Sequence, residues 1–392
     1  MKIVVGGVGV VSALGAGVDA NIAAIREGRS GIRLSPSILR TGNRIPVGEF
    51  ALANDEIHRR LNIPPDRHLS RTALLGIMAV REAMNDAKIP QGRRVGIVSA
   101  TSVGGMDLTE RFFREFINDE SRGRLRDVRM HDCGASTDAI AAYCGIDGYR
   151  TAISTACSSA ANAIIMGARL LRHGRVDCVV AGGCDALNAF TLNGFKSLMI
   201  LDDKPCRPFD RNRAGLNLGE GAGYVVLMRG EDAANGYCTL DGYANRNDAF
   251  HQTASSADGC GAYLAMSDTL AMAGVEPSQI DYVNVHGTGT PNNDASEGIA
   301  MQRLFGEHIP PFSSTKGFTG HTLAAAGGIE AVFSALAVRY GFIYPNLNFK
   351  TPAPGGGVVP APEFAEGRDI RYVLSNSFGF GGNCSSLLFA RV

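Results

Sequence analysis

The sequence predicts a layered α/β fold built of two related halves, and three observations carry that expectation. Short β-branched runs recur along the chain and end in Gly, Ser or Thr. Helical patterns lie between them, which argues for mostly parallel strand pairing. The 49 glycines are spread through apolar runs rather than gathered in linkers, which suits many strand-to-helix turns in one compact body.

The elements follow in chain order. MKIVVGGVGVVSALG has one Lys and an apolar run like the middle of a signal peptide, but its glycine-rich pattern reads better as a buried first strand ending in a loop. Arg71–Ala87 reads as a helix and Val95–Ala100 as a strand before TSVGG. Ser158–His173 reads as a helix closed by Gly174, and Val176–Val180 as a strand before AGGCDA. Beyond these come a helix over Ala262–Ala273 closed by Gly274, and strands over Tyr282–Val285 before HGTGT and Arg371–Leu374 before SNSFGFGG. Pro352–Pro362 is Pro/Gly-rich and reads as a surface loop before the last two strands. Strands ending in chemically rich loops occur both before Gly230 and after Asp281, so the expected halves are 1–230 and 231–392.

Composition narrows the function. With 392 residues, 45% hydrophobic and 19% charged, the chain can bury a large core and is not disordered. Lys plus Arg and Asp plus Glu both number 38, so no bulk field draws the protein to nucleic acid or to an anionic membrane. An acidic partner must be met by a local basic patch. No uninterrupted apolar run reaches the roughly 18 residues that span a bilayer, so membrane insertion is not expected. The nine cysteines are odd in number, sit mostly in apolar surroundings and show neither CxxC nor Cys/His metal spacing. A reducing cytoplasm is the expected location.

Four segments carry chemistry. TAISTACSSAANAIIMGARLL places Cys157 after a strand-like run at the start of an amphipathic helix, where the helix dipole and free N–H groups favour a thiolate. An inert buried cysteine, the reading taken for Cys178, Cys184 and Cys238, accounts for this segment alone equally well. VNVHGTGTPNNDASEG then places His286 at a strand end, and STKGFTGHTLAAAGGIEAV holds Lys316, His321 and Glu330. Two histidines in Gly/Thr loops, where backbone can approach a ligand closely, point to a site. SNSFGFGGN sets Phe378 and Phe380 among glycines.

Together TACSSA, VNVHGTGTP, SSTKGFTGHT and NSFGFGG resemble the ketosynthases of type II fatty-acid and polyketide synthesis, and the resemblance runs from GVGVVSALG to the last strand. It implies a thiolase-like fold of five α and β layers and a homodimer, or a heterodimer with a ketosynthase homologue. It also implies a 3-oxoacyl-(acyl carrier protein) synthase that condenses a Cys157-bound acyl group with malonyl-carrier protein, losing CO₂. No resident cofactor is implied, because phosphopantetheine arrives on the carrier protein.

By the same resemblance, His286 and His321 bind the malonyl thioester, where donors must face the oxygen on which enolate charge develops. The N–H groups of Cys157 and Phe380 form a second oxyanion hole. Lys316 supports the His321 side, Glu330 orients that network, Thr288 and Thr290 hold the phosphopantetheine arm, and Phe380 gates the site with Phe378 beside it. Val103, Cys133 and Gly134 line the acyl channel, the last two across the dimer interface. Arg67, Arg71, Arg207, Arg211 and Arg213 are candidates for the basic rim that docks the carrier.

Competing readings are weaker. A thiolase calls for a second cysteine in a C-terminal CxG loop, and Cys384 falls beyond that loop. A CoA-using initiating ketosynthase calls for Asn where His321 stands. A papain-like hydrolase leaves the second histidine and Lys316 unexplained. A chain-length factor, the silent homologue, replaces the nucleophile that is present here as Cys157. The small Cys133 and Gly134, the NGFKSLMILDDKPCRPFD stretch and the closing NCSS resemble ketosynthases of aryl polyene or flexirubin-like pigment pathways as much as those of fatty-acid elongation.

Overall fold

The first strand, β1 (Ile3–Ser12), lies at the centre of the computed structural model, which describes residues 1–34, 45–233, 236–353 and 357–392. Its glycines serve packing rather than turning. A Cβ on Gly7 would fall 2.4 Å from the Ala83 carbonyl oxygen, and one on Gly9 would fall 2.0 Å from that of Ala79. Both carbonyls belong to helix α1 (Arg71–Ala87), which lies directly on the strand.

Four more strands complete the first sheet: β2 (Val95–Ala100), β3 (Arg150–Ile153), β4 (Cys178–Asp185) and β5 (Gly221–Arg229). Their order is β3-β2-β4-β5-β1. β2 runs parallel to β3 and β4, while β5 pairs antiparallel with β4 and β1. The second half supplies β6 (Cys238–Asn247), β7 (Tyr282–Asn284), β8 (Phe312–Ser313), β9 (Tyr372–Gly379) and β10 (Asn383–Ala390).

These repeat the first set strand for strand, in the order β8-β7-β9-β10-β6. Here β7 runs parallel to β8 and β9, and β10 pairs antiparallel with β9 and β6. The halves are therefore related by topology where their sequences show no repeat. β1 and β6 join the two sheets through an antiparallel pairing at Val4–Thr239 and Val5–Cys238.

Helices make the other layers. α1 packs on β1, β4 and β5, with α2 (Cys133–Cys144) beside it against β2 and β3. α3 (Ser159–Arg172) forms the central layer with α6 (Ala326–Tyr340): α3 touches β2, β4 and β10, and α6 touches β4, β5, β9 and β10. On the far side α4 (Cys260–Ala273) covers β6 and β10, and α5 (Pro291–Phe305) packs on α4. The result is the expected five-layered α/β sandwich.

The central layer explains one departure from the sequence reading. Leu323–Tyr340 is a helical stretch long and apolar enough to cross a membrane, but it is buried along most of its length between the sheets. Two strands also extend further than their β-branched runs, because the residues assigned to loops keep pairing. β4 continues through Asp185, and β9 continues through SNSFG until Gly379 pairs with Asn383. Pro352–Pro362 lies partly outside the described residues.

One arginine expected at the rim belongs to this framework instead. Arg71 is buried, and all five of its N–H donors are used: on both oxygens of Glu220, on the Phe50 and Leu52 carbonyls and on Asn54. Glu220 in turn accepts the N–H groups of Phe50 and Leu187. Removing one partner of such a pair strands the other charge in the core. Arg71→Ala should cost about 3–5 kcal/mol in urea denaturation, while Arg211→Ala, at an exposed position, should stay within about 0.5 kcal/mol. A loss below about 1 kcal/mol for Arg71→Ala would contradict this assignment.

Candidate active site

Cys157 sits in a strained turn between β3 and α3. The residue before it, Ala156, has φ 53°, which turns the cysteine out of the strand direction. Ser159 Oγ holds the turn, accepting the Thr155 N–H at 2.7 Å and donating to the Ala156 carbonyl. α3 starts only at Ser159, so Cys157 lies ahead of the first helical turn. The expectation of a dipole-favoured thiolate needs correction. Burial pushes the thiol up to about 11, against the opposing pull of the Lys316 charge and of the Phe380 N–H directed at the sulfur.

That N–H comes from the other half. β9 brings Phe380 to the turn because Gly379 has no side chain: a Cβ there would lie 2.9 Å from the Thr155 carbonyl and 3.1 Å from the Cys157 nitrogen. The Phe380 ring stacks on Phe195 with centroids 5.8 Å apart. Gly381 and Gly382 follow at φ 80° and 78°, a backbone that side-chain-bearing residues resist.

His286 stands at the end of β7 and His321 in the loop after β8, their rings 5.3 Å apart and nearly perpendicular. Each ring has its Nδ1 engaged as an acceptor. For His321 the donor is the Leu323 N–H at 3.3 Å; for His286 it is the Lys316 ammonium at 3.4 Å. A neutral ring then carries its proton on Nε2. Burial is the main cause holding both histidines well below their ordinary range, followed by the Lys316 charge. Both are neutral donors at neutral pH.

Lys316 is buried and uses its ammonium on Glu330, on the His286 carbonyl at 2.6 Å and on His286 Nδ1. The expected support of the His321 side is corrected: the lysine anchors His286. Its short helix, Lys316–Thr319, turns the side chain inward under the end of β7. Burial raises the Glu330 carboxyl to about 7 while Lys316 pulls it down.

These groups open on a cavity of about 330 Å³ lined by Cys157, both histidines, Thr288, Thr290, Phe378 and Phe380, among others. Thr288 and Thr290 share a hydroxyl hydrogen bond of 2.9 Å, and Thr290 also caps α5. Val103, Cys133 and Gly134 are not in this wall. Val103 packs one layer behind, with Leu187, Leu216 and Leu323, because Asp185 draws the Ser102 and Val103 N–H groups inward. Gly134 is exposed, and a Cβ there would meet nothing within 4 Å.

Among the rim candidates, Arg71, Arg207 and Arg213 are withdrawn. Arg213 is mostly buried and donates to the Asp210 and Pro291 carbonyls. Arg207 lies 3.6 Å from Asp202 and is largely covered, while Arg67 and Arg211 are exposed.

Two buried acids escaped the sequence reading. Glu297 accepts the N–H groups of His286 and Gly287 at 2.8 Å each, fixing the histidine loop from α5. Asp185 accepts from Thr101, Ser102, Val103 and Ala324, tying β4 to the loop that carries His321. An acid ending an all-apolar strand, as Asp185 does in AGGCDA, was the available signal.

Comparisons with known proteins agree with this geometry. Residues 1–233 match the family model for the β-ketoacyl synthase N-terminal domain, and residues 237–350 match the one for the C-terminal domain. A 3-oxoacyl-[acyl-carrier-protein] synthase 2 from Staphylococcus aureus (strain MRSA252) is 33% identical over 411 residues, covering 100% of this chain and 98% of the relative. The solved ishigamide ketosynthase/chain length factor superposes with a TM-score of 0.93 at 29% identity, over 100% of this chain and 99% of the other. A ketosynthase in complex with its chain length factor from Xenorhabdus doucetiae gives 0.87 at 30%, over 100% and 98%. Matched by both domain models over residues 1–233 and 237–350 and by a relative along its full length, the chain belongs to the β-ketoacyl synthase family.

Proposed function

We propose that the protein elongates acyl chains carried on acyl carrier protein, using Cys157 as acyl acceptor and His286 and His321 as the malonyl site. One observation carries the assignment of roles: both imidazoles have Nδ1 engaged, so both Nε2–H groups are left to donate. A thioester oxygen between them gains two hydrogen bonds as CO₂ leaves and enolate charge develops.

The chemistry runs in two stages. The Cys157 thiol gives up its proton as its sulfur attacks the incoming acyl carbonyl, and the oxygen takes the electron pair between the N–H groups of Cys157 and Phe380. On collapse of that intermediate the pantetheine sulfur leaves as a thiol carrying the proton. Malonyl-carrier protein then loses CO₂, and the enolate carbon attacks the acyl-Cys157 carbonyl. The new C–C bond forms as the C–S bond breaks, which returns the cysteine. Phe380, on its glycine hinge, separates the two stages as a gate. Thr288 and Thr290 face the route by which the pantetheine arm enters.

No resident cofactor enters this reading. Cys157, His286 and His321 do bring one donor atom each within 4.8 Å of one another, a set able to take zinc. Binding there would need free Nε2 lone pairs, which is the opposite tautomer from the one the surrounding bonds favour.

The carrier protein docks at the mouth, with Arg67 and Arg211 the remaining basic candidates. A dimer, with a second copy or with a homologous subunit, is supported by the edge of β3, which among the described residues pairs only with β2. Cys133 and Gly134 would reach an acyl channel only across such an interface. The nine free cysteines support a cytoplasmic location.

Two outcomes test this reading. Cys157→Ser should abolish acyl transfer, whereas Cys157→Gln, resembling the acylated state, should still decarboxylate malonyl-carrier protein. Near-native condensation by Cys157→Ser would remove the nucleophile assignment. Because burial raises the thiol's pKa to about 11, the rate of iodoacetamide alkylation should climb about tenfold per pH unit from pH 7 to 9. A plateau below pH 8 would mean that the resting residue is already a thiolate.

A further inference from the structure

We propose that Asn383 is a positioning residue for the acyl-transfer oxyanion hole, acting on Phe380 and the nucleophile turn together. The inference rests on the function proposed above. The two N–H groups of that hole come from opposite halves of the fold, Cys157 from the turn before α3 and Phe380 from the end of β9. Their spacing therefore depends on bonds that cross between the halves.

Asn383, the first residue of β10, supplies such bonds three residues after Phe380. Its side-chain oxygen accepts across the seam from Ser158 Oγ at 2.7 Å and Asn162 Nδ2 at 2.8 Å, and within its own half from Asn245 Nδ2 at 2.7 Å. Ser158 directly follows the nucleophile. Asn162 lies one turn further along α3 and also donates to Thr155 Oγ1 at 2.8 Å, so both flanks of Cys157 are held. The other end of the Asn162 amide accepts from Ser385 Oγ at 2.8 Å, which locks the amide's orientation to β10.

Phe380 is thus fixed on two sides: by the tight packing of Gly379 on the Cys157 turn, and by Asn383 beyond the two left-handed glycines. The ring can swing on Gly381 and Gly382 while both ends of the loop stay anchored. The histidine pair hangs on different supports, His286 on Glu297 and Lys316, His321 on Leu323 and the Asn217 carbonyl. Loss of Asn383 should consequently loosen one oxyanion site and spare the other.

The test measures both half-reactions. Asn383→Leu, similar in size but without an acceptor, should lower the rate constant of acyl transfer to Cys157 about 10- to 100-fold with little change in KM. Malonyl-carrier protein decarboxylation, followed in a Cys157→Gln background, should stay within about threefold. Asn383→Asp, which keeps the acceptor, should restore acyl transfer to within about fivefold of the parent. Ser158→Ala, which removes a single donor and disturbs the fold less, should shift the same ratio in the same direction.

A parallel fall in both half-reactions, or unchanged acyl transfer in Asn383→Leu and Ser158→Ala alike, would overturn the assignment. If the unmodified protein neither acylates Cys157 nor decarboxylates malonyl-carrier protein, the proposed function falls and this inference with it. That result is distinct from both of the others.

Discussion

The site depends on one buried charge. Lys316 lies in the core with its ammonium spent on Glu330, the His286 carbonyl and His286 Nδ1, and placing an ion there costs several kcal/mol without such partners. Its position does three things at once. It sets the tautomer of His286, adds to the burial that keeps both histidines neutral, and lowers the Cys157 thiol partway back from where burial drives it. Glu330 anchors the charge from α6, the helix between the two sheets, so the catalytic electrostatics and the central layer of the fold share a residue pair.

The second constraint is the seam. The repeated sheets put equivalent helix starts and strand ends face to face, and every reactive group sits where they meet: Cys157 from one half, His286, His321 and Phe380 from the other. Small residues make the approach possible, as the space around Gly379 shows. Buried acids hold the loops in register, Asp185 from the first half and Glu297 from the second. On the roles proposed above, two oxyanion sites with separate supports would let one cavity run acyl transfer and decarboxylation without one geometry serving both.

Local pattern made much of this legible. α1 and β2 occupy the residues their periodicity indicated, and the motifs around Cys157, His286, His321 and Phe380 converge on one cavity. What escaped was partnership across the chain. Lys316 is five residues from His321 and thirty from His286, so chain proximity suggested the wrong histidine. Arg71 looked like a rim arginine because Glu220, its partner 149 residues away, is not visible from its neighbourhood. The helix-start signal at Cys157 was real, but the cost of burying a thiolate, which no local pattern reports, outweighs it.

The central claim is that two neutral imidazoles present Nε2–H groups to the same point in the cavity. Nitrogen-15 NMR of the histidine-labelled protein reads this directly, since the ring-nitrogen shifts separate imidazolium from each neutral tautomer. The account predicts that between pH 6 and 8 the His286 and His321 signals, assigned by His→Ala variants, are those of neutral rings protonated on Nε2. An imidazolium at pH 7, or a proton on Nδ1 of either ring, would contradict it.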